Sequence, residues 1–176
     1  MRKIKLVLIA IIIATALFSC NNVQTQGGDS SINKIMQLPD GVIALHVEEA
    51  ECYINEKDPS SSTAEWNVVV SKSGRFNVWL NSAATDTTHL GYKNKVLLNI
   101  RNNILEIQPV VNKVVKDASE IEYPYFRADS FMGSIYIQDT GLYSVQIISD
   151  KIFPKDVRAI NEKTKLLSVI LTPVFR

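Results

Sequence analysis

Residues 65–80 read EWNVVVSKSGRFNVWL, two alternating runs around a short polar stretch. Trp66, Val68 and Val70 fall two residues apart, and so do Phe76, Val78 and Leu80. Successive side chains of a strand point to opposite faces, so each run presents one apolar face. The stretch Ser71-Lys72-Ser73-Gly74 ends in glycine, and two runs joined in this way read as a β-hairpin.

The same pattern recurs on both sides. GVIALHVEEAECYI (41–54) reads as one or two strands joined by an acidic step. KVLLNI places Val96, Leu98 and Ile100 together, and RNN turns the chain into ILEIQP, with Leu105 and Ile107 inward. GSIYIQDTGLYSVQIIS (133–149) reads as a second hairpin turning at Asp139-Thr140-Gly141. KLLSVILTP closes the chain, with Leu167, Val169 and Leu171 alternating against Ser168 and Ile170. PVVNKVVKDASE (109–120) is the best helical candidate, and its four valines argue against a helix. Eight or nine short strands without a long 3.6-residue period predict an all-β, antiparallel β-sandwich.

The first residues carry a different signal. Arg2, Lys3 and Lys5 precede an apolar run from Leu6 to Phe18, thirteen residues interrupted only by Thr15. A spanning helix needs about 20 apolar residues, so the run reads as a signal peptide. It ends Leu17-Phe18-Ser19-Cys20, which resembles the lipobox of bacterial lipoproteins, with Phe18 bulkier than usual there. That resemblance implies removal of residues 1–19 and acylation of Cys20, so that the lipid bilayer becomes a partner without a transmembrane helix. NNVQTQGGDSSINK follows, polar and without period, so residues 20–39 are expected to be the lipidated N-terminus and a linker, and 40–176 the sandwich. The expected address is a bacterial membrane, the outer one favoured, with the leaflet open.

Cleavage removes three of the 19 basic residues, leaving 16 against 18 acids. This balance gives no case for nucleic acid. Cys52 is the single other cysteine, so the lipidated chain has no disulfide framework, and in AECYIN it reads as a small buried hydrophobe. His46 and His89 stand in no catalytic signature, and G-x-S-x-G, H-E-x-x-H and phosphate-cradling loops are absent. Glu120 and Glu122, two apart on one run, suit a glycosidase pair poorly. No enzymatic activity is expected.

In their order, the acidic step Glu49-Ala50-Glu51, the W-x-V-x-V and G-x-F-x-V pieces from Trp66 to Val78, and the G-x-I-x-I piece leading to Ile147 resemble the galactose-binding-like sandwich. More narrowly they resemble modules that accompany Bacteroidetes-type polysaccharide-degrading proteins, similar to carbohydrate-binding modules of families six and thirty-five. The resemblance implies a jelly roll and a carbohydrate ligand. In those modules acids near the first and last strands hold calcium, for which Glu49 and Glu51 are the candidates here. Ser168 stands where an acid or amide would be needed, so a solvated acidic strand end is the favoured reading and no cofactor is expected.

The same resemblance directs attention to aromatic and polar residues in two loops. NSAATDTTHLGYKNK (81–95) offers His89, Tyr92 and Asn94, and ASEIEYPYFRADSF (118–131) offers Tyr123, Tyr125, Arg127 and Asp129. Phe126 and Phe131 read as plugs of the core end, and Tyr92 and Tyr123 suit either role. Trp79 lies with Arg75 and Asn77 opposite Phe76, as a stacking platform or beneath a covering loop. The expected function is a lipid-anchored, non-catalytic carbohydrate-binding module. The alternative is an adaptor lipoprotein that docks a partner protein.

Overall fold

A computed structural model describes residues 34–153 and 162–175. Residues 1–33, with the expected signal peptide and the expected lipidation site Cys20, lie outside the described residues. The described chain forms eleven strands: β1 (Lys34–Met36), β2 (Ile43–His46), β3 (Glu51–Tyr53), β4 (Thr63–Val70), β5 (Gly74–Ala84), β6 (Val96–Ile100), β7 (Asn103–Ile107), β8 (Lys113–Val115), β9 (Phe126–Ile137), β10 (Gly141–Ile148) and β11 (Thr164–Pro173). They build two sheets that face each other as a β-sandwich. One runs β1-β4-β10-β6-β7, with β3 also on β4, and the other runs β2-β11-β5-β9-β8. All pairings are antiparallel except β1 with β4. Among the described residues no helix is long and apolar enough to cross a membrane.

The alternation in the sequence decides which face of each strand is buried. Trp66, Val68 and Val70 on β4 are buried, as are Phe76, Val78 and Leu80 on β5, and Tyr143, Val145 and Ile147 on β10. They form one core with Val96, Leu98 and Ile100 of β6, and Leu105 and Ile107 pack against its margin. Each fully buried aliphatic side chain contributes about 1.5–3 kcal/mol of transfer free energy, which makes the inner faces the main driving force. The indole of Trp66 donates to His46 O at 2.8 Å, so its polar atom is satisfied and β2 is tied across to the opposite sheet.

Both expected hairpins are corrected. β4 belongs to one sheet and β5 to the other, and β9 and β10 are divided in the same way. The two turns run side by side: Val70 lies opposite Gly141 in one sheet, and Gly74 opposite Ile137 in the other. A two-stranded ribbon, β4 with β10, therefore folds over and continues as β5 with β9. Alternation cannot tell a same-sheet partner from a facing-sheet one, because both bury the same residues. The β6–β7 pair is a true hairpin, turned at Arg101, whose φ is +55°.

Three boundaries also change. β1 lies inside the stretch expected as linker, because Ile35 packs against the core. Residues 109–120 form no helix, and the short edge strand β8 takes part of them. In β11 a bulge at Leu167 shifts the register, so Leu166 faces the core in its place.

Gln37 closes the end of the sandwich where the ribbon folds. Its Nε2 donates to Gly41 O (2.7 Å) and Lys72 O (3.3 Å), and its Oε1 accepts from the backbone N–H groups of Ser71 (2.9 Å) and Lys72 (2.7 Å). One buried amide thus joins the turn before β2 to the crossing between β4 and β5. Gln37→Ala removes these bonds and is expected to lower unfolding free energy by about 2–3 kcal/mol in denaturant titrations. A loss below about 0.5 kcal/mol would mean that water replaces the amide. The bulge makes a second expectation: Leu166→Ala costs about 2–5 kcal/mol and Leu167→Ala under about 1, and the opposite ranking would contradict the register.

Candidate functional site

The outer face of the five-stranded sheet carries a groove of about 890 Å³. Its floor follows from register. Lys113 of β8 pairs with Asp129 of β9, Asp129 with Asn81 of β5, Asn81 with Ser168 of β11, and Ser168 with His46 of β2. All five strands thereby contribute one polar side chain to a single row, which spans about 19 Å at the usual strand spacing. One row towards the ribbon fold, Trp79 pairs with Phe131 on one side and Ile170 on the other. On the other side of the polar row, Ala83 pairs with Arg127 and Lys165.

Two bulges set this surface. Met132 is the extra residue opposite β5 between Val78 and Trp79, and Leu167 is the extra residue in β11. Gly133 follows the first at φ +132°, with Leu105 only 3.3 Å from where a Cβ would stand. The bulge lets Met132 fill the core while Phe131 emerges beside Trp79, their ring centroids 5.1 Å apart and tilted by 52°. Phe131 is thus a buttress to an exterior tryptophan, not the core plug expected.

The electrostatics centre on Arg127. Its Nε donates to Asp129 Oδ1 (2.9 Å) and its Nη1 to Glu120 Oε1 (2.5 Å). This holds the segment bearing Glu120 against the sheet and gives the buried Asp129 a cationic partner, which it shares with Glu120. Asn81 is 9% exposed and Ser168 3% exposed, and neither side chain makes a hydrogen bond to another of the described residues. Neither is among the side chains whose polar atoms are buried without a partner, so both keep access to solvent at the groove, where they can bond water or a ligand.

The expected site residues divide. Trp79, Arg127 and Asp129 line the groove. Tyr125 supports it from beside: its hydroxyl donates to Glu162 O at 2.7 Å, and Lys165 Nζ lies 4.8 Å from its ring centroid. Tyr92 is core, 6% exposed, with its hydroxyl 2.8 Å from Ser82 Oγ and its pKa pushed up by burial. Asn94 and Tyr123, the latter 91% exposed, are outside the groove lining, so the two loops do not converge on one cleft. Glu49 and Glu51 are both exposed, and Glu51 accepts from the Tyr53 hydroxyl. Calcium takes six to eight oxygens, and no group of three or more His, Cys, Asp or Glu is gathered among the described residues, so this pair does not fit the ion.

Sequence reading missed His46, Lys113, Asn81, Lys165 and Ser168 as site residues. Asn81 was within reach, because it continues the outward series Arg75, Asn77, Trp79 by one step.

The Arg127 guanidinium bonded to Glu120 holds its carboxyl below the usual value of 4.5. A folded pKa below the unfolded one adds stability above the unfolded pKa, and that stability is lost as pH falls through the folded pKa. Glu120→Gln should therefore be less stable than the parent at pH 7, with the difference closing below about pH 4. The pair is partly exposed, so the effect is small and screened by salt. Denaturant titrations at pH 7 and pH 3 check this, and a gap independent of pH would contradict it.

No protein-family model matches the chain, and no curated protein matches it in sequence. Solved structures do match it in fold. Part of an α-L-fucosidase from Vibrio sp. superposes with a TM-score of 0.64 at 16% identity, over 79% of this chain and 24% of that one. A GH26-CBM35 β-(1,4)-mannanase from Podospora anserina gives 0.47 at 13%, over 78% and 28%. The insecticidal crystal protein Cry2Aa gives 0.49 at 12%, over 78% and 22%. The chain spans less than a third of each of these proteins. The fucosidase match establishes a shared sandwich fold.

Proposed function

We propose that the protein is a lipid-anchored, non-catalytic module that holds a carbohydrate chain in the groove on its five-stranded sheet. The observation that carries this reading is the pair of open polar side chains, Asn81 and Ser168, beside the outward ring of Trp79. A sugar ring needs both kinds of surface. Its C–H face packs on an aromatic plane, and its hydroxyls exchange hydrogen bonds with fixed polar groups. The fold-level likeness to part of a fucosidase supports the reading only by analogy. The anchor rests on Leu17-Phe18-Ser19-Cys20 alone, and with it the placement at the outer membrane of a bacterium.

A binding role suits the two arginine-paired acids of the groove better than hydrolysis does. Glycoside cleavage needs a protonated carboxyl to assist the leaving group. Asp129 and Glu120 both accept from Arg127, and Glu120 is held ionised.

The adaptor reading keeps one observation of its own. On the outer face of the six-stranded sheet, Val69 pairs with Met36 and Leu142, which are 59% and 57% exposed, making a small apolar strip.

A glycan array probed with the full chain tests the first reading. Binding is expected, with Trp79→Ala weakening it at least about tenfold, equivalent to ~1.4 kcal/mol. Silence towards every glycan, or an unchanged Trp79→Ala, would remove it and leave the apolar strip as the surface to pursue.

A further inference from the structure

We infer that the sugar-binding surface runs past the groove along β5 and β9 to a second aromatic platform, Tyr136, and so takes a linear polysaccharide lengthwise; this rests on the carbohydrate reading above. Register sets the spacing. From Trp79 towards the ribbon fold, β5 presents Asn77 and then Arg75 on its outward side, paired on β9 with Ser134 and Tyr136. Tyr136 therefore stands on the same face as Trp79, two rows away, about 13 Å along the strands. It is 58% exposed, and among the described residues neither a second ring nor a cation covers its face. Other aromatics of the domain are engaged: Tyr125 and Tyr143 each lie under a cation, Tyr92 is core, and Phe131 leans on Trp79.

The row between the two platforms is low and polar. It consists of Ser134, Asn77 and Thr172, and the groove already reaches it through Thr172. Ser134 Oγ donates to Asn77 Oδ1 at 2.7 Å, which orients the amide and leaves its Nδ2 as a donor. All three side chains are short, so none of them stands as a wall between the rings. The opposite direction is less open, because Arg127 holds the segment bearing Glu120 against the sheet there. A ring, a row of hydrogen-bonding groups and a second ring form the surface that a flat sugar chain needs: C–H faces pack on the rings, and hydroxyls along the chain's edges meet the polar row. A single sugar stacked on Trp79 does not reach Tyr136, about 13 Å away, so the second platform contributes only to a longer ligand. A chain already fixed at Trp79 presents its later units to Tyr136 at high effective concentration, so one further stacking contact is enough to raise affinity.

Binding of the full chain to the disaccharides and hexasaccharides of β-(1,4)-linked glucose, mannose, galactose and xylose tests this. In at least one series the hexasaccharide is expected to bind about tenfold or more tightly than the disaccharide. Tyr136→Thr, which keeps a residue suited to a strand, should remove most of that advantage and leave disaccharide binding unchanged. Tyr136→Phe keeps the ring and should keep the advantage, whereas Trp79→Ala should weaken both lengths. Tyr123→Thr, at a position 91% exposed and outside the groove, should change nothing. Equal affinity for the two lengths overturns the inference and leaves the carbohydrate reading standing, and so does a length advantage that survives Tyr136→Thr. An equal loss at both lengths in Tyr136→Thr also overturns it, because it shows damage to the sheet and not a lost platform. Silence towards all four series removes both readings.

Discussion

The folded ribbon is the constraint on which the other elements depend. β4 and β10 pair in one sheet, and their continuations β5 and β9 pair in the other, so two turns must cross the gap together. Once they do, the inward residues of four long strands face each other across the core, and the remaining strands have edges on which to assemble. β6 and β7 extend one sheet from β10, while β11 and β2 extend the other from β5. Most contacts of the fold are therefore remote in sequence, as expected for a jelly roll, and local propensity alone cannot select them.

The candidate site is a by-product of the same arrangement. Inward positions of β5, β9 and β11 make core, and the outward positions between them make the floor of the groove. The bulges at Met132 and Leu167 adjust that floor locally while their neighbours keep their inward contacts. Because the polar row is carried on paired strands, its side chains are held with less freedom than loop residues would have, which suits a surface that must present several groups at once.

Much of the fold was legible in the sequence because burial writes a period of two into it. Trp66, Val68, Val70, Phe76, Val78 and Leu80 are inward as their spacing demands, and Trp79 is outward. Partnership was not legible. Nothing in EWNVVVSKSGRFNVWL distinguishes a hairpin from a crossing between sheets, and nothing local places Ser168 beside Asn81, 87 positions earlier. The groove depends on that second kind of information. Arg127 and Asp129 were singled out for their chemistry in a supposed loop, and they act from a strand. Tyr92 drew notice for the same reason and proved to be core, its hydroxyl satisfied by Ser82. Composition shows which groups are capable of a contact, and register decides which of them meet.

The Gln37 clamp has a mechanical side. The chain enters the domain through β1, which runs parallel to β4, and Gln37 follows immediately. A pull on the N-terminal side, directed along β1, would stretch the β1–β4 ladder in shear, with its bonds and those of Gln37 resisting together. The same force directed across the sheet would open that ladder one bond at a time. A domain held by its N-terminal end is thereby firm against lengthwise tension and weaker against peeling, and that difference comes from three residues of parallel strand and one buried amide.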